Sequence, residues 1–196
     1  MKTHTAFLAL AGALALTACG DAADETATDP NTDMTANDTA GADAMTPPAG
    51  QAAMPGSPQE FVDMAAASDM FEIESARLAQ EMGSSQAVKD FAAMMIEDHT
   101  TSTANLKAAA AEAQPALTVA PELTAEQQTQ LDQLRQAGDR FDALYKQQQV
   151  AAHEKALAML EGYADEDGPA PLTTFASETA TVVEGHLEHA RELTVD

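Results

Sequence analysis

From Ser57 onward, large apolar residues recur at alternating steps of three and four. Phe61, Met64, Ser68, Phe71, Ser75, Leu78 and Met82 make one such stripe. Val88, Phe91, Ala92, Met95, His99, Ser102 and Leu106 make a second. A third runs through Phe141, Tyr145, Gln149, Ala152, His153, Ala156, Leu160 and Tyr163. A fourth takes in Phe175, Ala176, Thr179, Val182, Val183, His186, Ala190 and Leu193. That spacing places each set on one face of an α-helix, and no window sustains the two-residue alternation of a strand.

The punctuation between the stripes agrees with four long helices. In "SPQE", Ser57 can cap, Pro58 suits the first helical position and Glu60 completes a capping box. Gly83 ends the first helix, and Ser84 or Ser85 caps the second, which fades before Pro115. So short a turn makes these two helices antiparallel neighbours. "TAEQ", 124–127, is a second capping box and opens a short helix with Leu131 and Leu134. Gly138 breaks the pattern, and Asp139 is the expected cap of the third long helix. "DEDGPAP" is a turn, after which the fourth helix runs from about Leu172. The expectation is an all-α four-helix bundle with one short extra helix before the third long one.

The first residues read differently. Lys2 precedes the apolar run "AFLALAGALALTA", too short for a comfortable membrane span. The run ends in "LTAC", 16–19, which resembles the pattern read by the lipoprotein signal peptidase. The resemblance implies cleavage of residues 1–18 and lipidation of Cys19, whose acyl chains would hold the chain on a membrane without spanning it. Gly20 after the cysteine resembles outer-membrane sorting, which implies a periplasmic-facing lipoprotein. Residues 19–56 then form an acidic tether, rich in Ala, Thr, Asp and Pro and almost free of large apolar side chains. The folded domain is expected over 57–196.

Composition narrows the function classes. With 9 basic residues against 32 acidic, the formal net charge is −23, so no basic stripe exists to neutralise nucleic-acid phosphates. Cys19 is the only cysteine, so neither an internal disulfide nor a thiolate metal site can form. Nor does any serine stand in a nucleophile-elbow context. Enzyme chemistry is thinly provided for; Tyr145 beside a metal would be its one entry into redox chemistry.

Candidate chemistry lies on the stripes themselves. His99, His153 and His186 fall on the apolar faces of the second, third and fourth long helices. His99 lies about fourteen residues before its helix ends, and His153 about thirteen after its own begins. At 1.5 Å per residue the two are level if those helices run antiparallel. His186 is about five residues, roughly 7 Å, out of step with His153 by the same count. Glu72 offers a carboxylate beside Ser68 and Ser75 on the first helix. Glu72, His99, His153 and His186 could therefore bind one ion, a set suited to zinc, copper or iron. Asp98, Tyr145 and Gln149 lie near enough along their helices to hold an imidazole in place. Glu74, Glu184, Glu188 and His189 are expected on solvated faces. The alternative reading keeps the same four residues as a buried hydrogen-bonded network that sets helix register and binds nothing.

The motifs "FEIESARLA", "VKDFAAMMIEDHT", "GDRFDALY", "VAAHEKAL" and "VVEGHLEHA" resemble the domain-of-unknown-function 4142 family, bacterial envelope proteins with a ferritin-like bundle. The likeness runs from about Phe61 to Leu193. It implies a ferritin-like fold and carries Glu72, Asp98, His99, Asp142, Tyr145, His153 and His186 as characteristic polar positions; Asp142 joins the expected supporting residues on this ground alone. One departure from ferritins proper matters: Ile96, Val150 and Val183 stand three before His99, His153 and His186, so the Glu-x-x-His pairs of a di-iron site are missing. Two functions remain open. One is a lipid-tethered periplasmic bundle that binds a single transition ion for buffering, delivery or sensing. The other is a non-catalytic envelope interaction or stress-protection module with an unidentified protein partner.

Overall fold

The computed structural model describes residues 54–195; Cys19, the leader and most of the expected tether lie outside the described residues. The described residues are all-helical: α1 (Pro58–Met82), α2 (Gln86–Glu112), α3 (Ala125–Arg135), α4 (Phe141–Ala164) and α5 (Ala170–Glu192), with a 3-10 turn at Gly138–Arg140 leading into α4. None of these helices is long and apolar enough to cross a membrane.

Most of the starts follow from side-chain chemistry. Ser57 accepts the amide of Glu60, while Glu60 reaches one residue further back, to the amide of Gly56 at 2.7 Å. Ser85 caps α2 through the amide of Val88, and Thr124 and Gln127 form a full capping box on α3. Asp139 does not cap α4; it lies inside the 3-10 turn, and no side chain caps that helix. Gly138 adopts a φ of +55°, a conformation that disfavours other residues. Gly83 has an ordinary extended backbone, but a Cβ there would stand 2.5 Å from the carbonyl oxygen of Ala79. Close approach, not backbone freedom, demands that glycine.

The long helices form a ring in which α1 lies beside α2 and α4, and α5 beside α4 and α2. Phe61 at the start of α1 stacks on Tyr163 at the end of α4, with ring centroids 3.7 Å apart. Phe91 near the start of α2 meets His189 near the end of α5. Every neighbouring pair is thus antiparallel, and α2 and α4, set diagonally, run the same way. The segment between them must return the length of the bundle, and α3 rides on it against α1 and α4. Gln127 Nε2 donates to the Ala67 carbonyl at 3.2 Å, and Leu131 and Leu134 are buried beneath α3.

The core is in two parts. One end packs Phe61, Val62, Leu106, Tyr163, Leu172 and Phe175. The other packs Phe71, Phe91, Met95, Leu134, Phe141 and Tyr145. Between them Asp69, Glu72, Ser75, His99, Gln149, His153 and His186 are all buried. The inward face of α1 is rotated from the expected stripe. Ala65, Ala66, Ala76 and Ala79 are buried, while Met82 is 37 % exposed. Val182 on α5, also expected inside, is 47 % exposed. Small side chains carry the close helix contacts, and a reading weighted to large ones misplaces the face.

Candidate metal centre

Three imidazoles meet in the polar layer. The ring centroids of His99, His153 and His186 lie 5.8, 5.5 and 5.6 Å apart, a nearly equilateral triangle. One ligand atom from each falls within 4.8 Å of the others, and all three residues are buried. The level predicted by counting is therefore right, though its premise is not: α2 and α4 are parallel. His99 sits at the centre of α2, so its depth is the same counted from either end. The five-residue mismatch counted for His186 does not keep it away: its ring centroid lies 5.6 Å from that of His153.

Each ring uses one nitrogen for support. His99 Nδ1 donates to Asp69 Oδ1 at 2.8 Å, and Asp69 Oδ2 in turn accepts from Thr103 Oγ1 at 3.0 Å. His153 Nδ1 donates to the main-chain oxygen of Gln149 at 2.8 Å. His186 Nε2 donates to Asp98 Oδ2 at 2.9 Å, across from α5 to α2. The other nitrogens, His99 Nε2, His153 Nε2 and His186 Nδ1, have no protein partner. A carbonyl or carboxylate acceptor fixes the proton on the supporting nitrogen and leaves the other as a lone pair in the neutral ring.

Glu72 is not in that group. Its Oε2 accepts from Gln149 Nε2 at 2.7 Å, and its Oε1 is 3.9 Å from His153 Nδ1, the nitrogen that supports rather than the free one. Gln149 Nε2 also reaches Ser75 Oγ at 3.2 Å. The carboxylate thus backs His153 from the side of Gln149. Tyr145 is fully buried on the same side, its hydroxyl without a partner. Asp142 lies elsewhere: it accepts from the Ser84 amide and hydroxyl and the Ser85 amide at 3.0, 2.7 and 2.8 Å. It ties the start of α4 to the α1–α2 turn and touches no histidine. Asp69 is the supporting residue that sequence reasoning passed over. Glu184, Glu188 and His189 are exposed, as expected.

The electrostatics follow burial. Burial raises Glu72 to about 7, against the pull of His99 and the Gln149 hydrogen bond. Burial pushes His153 down to about 4, helped by the charge of His99. It also pushes His186 to about 4, although Asp98 resists. Burial opposes a charge on His99 too, but the Asp69 hydrogen bond and the charges of Glu72, Asp69 and Asp98 outweigh it, and its value is raised. Burial raises Tyr145 well above its usual range, and Glu72 adds to the effect. At neutral pH burial therefore keeps His153 and His186 neutral, each with a lone pair on its unsupported nitrogen.

These residues can hold a transition ion in a mid-bundle site with nitrogen donors alone. The model of the family described as "Domain of unknown function (DUF4142)" matches residues 43–193, which includes the whole of this site. No curated protein and no solved structure matches the chain.

Proposed function

The chain belongs to the DUF4142 family, and we propose that it is a lipid-tethered, periplasmic-facing bundle that binds a single transition-metal ion through His99, His153 and His186. One observation carries the metal reading. Three buried ring nitrogens have no protein partner, while the opposite nitrogen of each ring is held by an acceptor. Support of that kind is what metal-binding histidines share. The structural-network alternative accounts for the bonds that Gln149 Nε2 makes to Glu72 and Ser75. It does not account for three orphaned nitrogens, each costing on the order of 1–3 kcal/mol if left unpaired. An all-imidazole set suits zinc or copper better than iron, whose open sites add a carboxylate. The tether reading rests on "LTAC" and the acidic segment after it, and buffering or delivery at the envelope is the role it favours.

The test is direct. Protein purified without chelator should carry close to one zinc or copper per chain by mass spectrometry of the metal. His153→Ala should abolish that content while far-UV circular dichroism stays helical. Metal-free protein that takes up neither ion, and gains no melting temperature from either, would sink the metal centre. Labelling with radioactive palmitate, lost on Cys19→Ala, tests the anchor.

A further inference from the structure

The two faces of the histidine layer are unlike. Gln149 precedes His153 on α4, and with Glu72, Ser75 and Tyr145 it fills one face with packed side chains. On the other face, where α4 continues through Ala156 and Leu160, a cavity of about 20 Å³ opens against His99. That is room for one water-sized group, since a single water needs roughly 10–15 Å³ of such space. Its walls are mixed: Asp69, Ser68, Ser102 and Thr179 are polar, and Met159 and Val183 are not. Ser102, Phe175 and Thr179 also line an open groove of about 710 Å³ between α2 and α5. Asp98, which holds His186, stands in that groove with its side chain 39 % exposed. The centre thus has a sealed side and a side one residue deep from solvent.

Three nitrogen donors leave a tetrahedral ion one position short. We propose that this position faces the cavity and takes an exogenous ligand, water or the terminal atom of a small linear anion whose remainder lies in the neck, admitted from the α2–α5 groove between Ser102 and Thr179. The inference rests on the metal reading above and adds to it an open coordination position with a defined approach. Glu72 is the competing fourth ligand, and the structure places it on the sealed side with its carboxylate engaged by Gln149. The cavity side offers the free volume.

Cobalt(II) and azide test this in the full-length chain. Cobalt bound by three imidazoles gives visible absorption bands that report a change in the fourth ligand. Azide should shift those bands with saturation at one azide per cobalt. Thr179→Leu, which adds bulk where cavity and groove meet, should weaken azide at least tenfold with cobalt affinity and helicity unchanged. Ser102→Leu closes the same neck from α2 and should do likewise, whereas Thr179→Ser should bind azide as the parent does. Azide without effect on the cobalt bands, or both leucine variants binding it as tightly as the parent, overturns the open position and leaves the metal centre standing. A chain that gives no cobalt bands at all removes both.

Discussion

Asp69 and His99, thirty positions apart, meet on neighbouring helices with 2.8 Å between Oδ1 and Nδ1, both side chains shut off from solvent. The contact fixes the ring's tautomer, aims its second nitrogen at the other two imidazoles, and supports positive charge on the ring. Asp69→Asn keeps an acceptor but removes the charge. It should weaken zinc or copper binding about 10–100-fold and lower the His99 pKa, with the far-UV spectrum unchanged. Isothermal titration and histidine NMR read the two effects separately; unchanged metal affinity would reduce Asp69 to a packing residue.

Glu72 should behave differently from the histidines. Glu72→Gln is expected to retain one ion per chain and the cobalt absorption of the parent, because its carboxylate meets the supporting side of His153. A shifted cobalt spectrum in this variant would make Glu72 a ligand after all.

The metal-free protein should have a stability maximum near neutrality. His153 and His186 are pushed down to about 4 in the folded chain, so from their ordinary value of 6.5 downward the unfolded chain binds more protons and stability falls. Glu72, raised from 4.5 to about 7, works in the opposite sense, and its contribution is lost as pH rises through 7. Two groups outweigh one between about 4.5 and 6.5, so the melting temperature should climb across that interval and then level or decline. In Glu72→Gln the climb between about 4.5 and 6.5 should be steeper, because the opposing proton is gone. A melting temperature that rises steadily as the pH drops from 6.5 to 4.5 would contradict the buried neutral state of the two imidazoles.

Asp142 offers the complementary control. Asp142→Ala removes three hydrogen bonds to the α1–α2 turn, and charge-assisted bonds of this kind make a loss of about 3 kcal/mol the expected scale. The melting temperature should drop by roughly 10 °C. Metal affinity should not change, since Asp142 lies eleven residues, roughly 16 Å, along α4 from His153. A specific loss of metal binding at full stability would return Asp142 to the site.

Much of the fold was legible because helix starts are written locally. Ser57, Ser85 and the Thr124–Gln127 pair declare themselves within four residues. The convergence of His99, His153 and His186 was legible from depth, aided by the central place of His99, which hides the direction of α2. The direction itself was not legible, because it depends on where the segment 113–140 carries the chain. Asp69 was missed for a related reason. The large residues of α1 draw the eye to the Phe61–Met64–Ser68 line, while the buried line runs through alanines. Asp69, Glu72 and Ser75 stand three apart, and following Glu72 back one turn would have found the aspartate. Asp142 was grouped with the site by family resemblance, which marks a residue's importance but not its location.

The band of polar side chains between the two apolar ends has a mechanical corollary. Sliding any one of the four rods by a single turn, about 5.4 Å, would strand an imidazole or a carboxylate among phenylalanines and leucines. The bundle is keyed at its waist: vertical alignment of the rods is dictated there by the protein's own side chains, and the three imidazoles stand level without anything to draw them together.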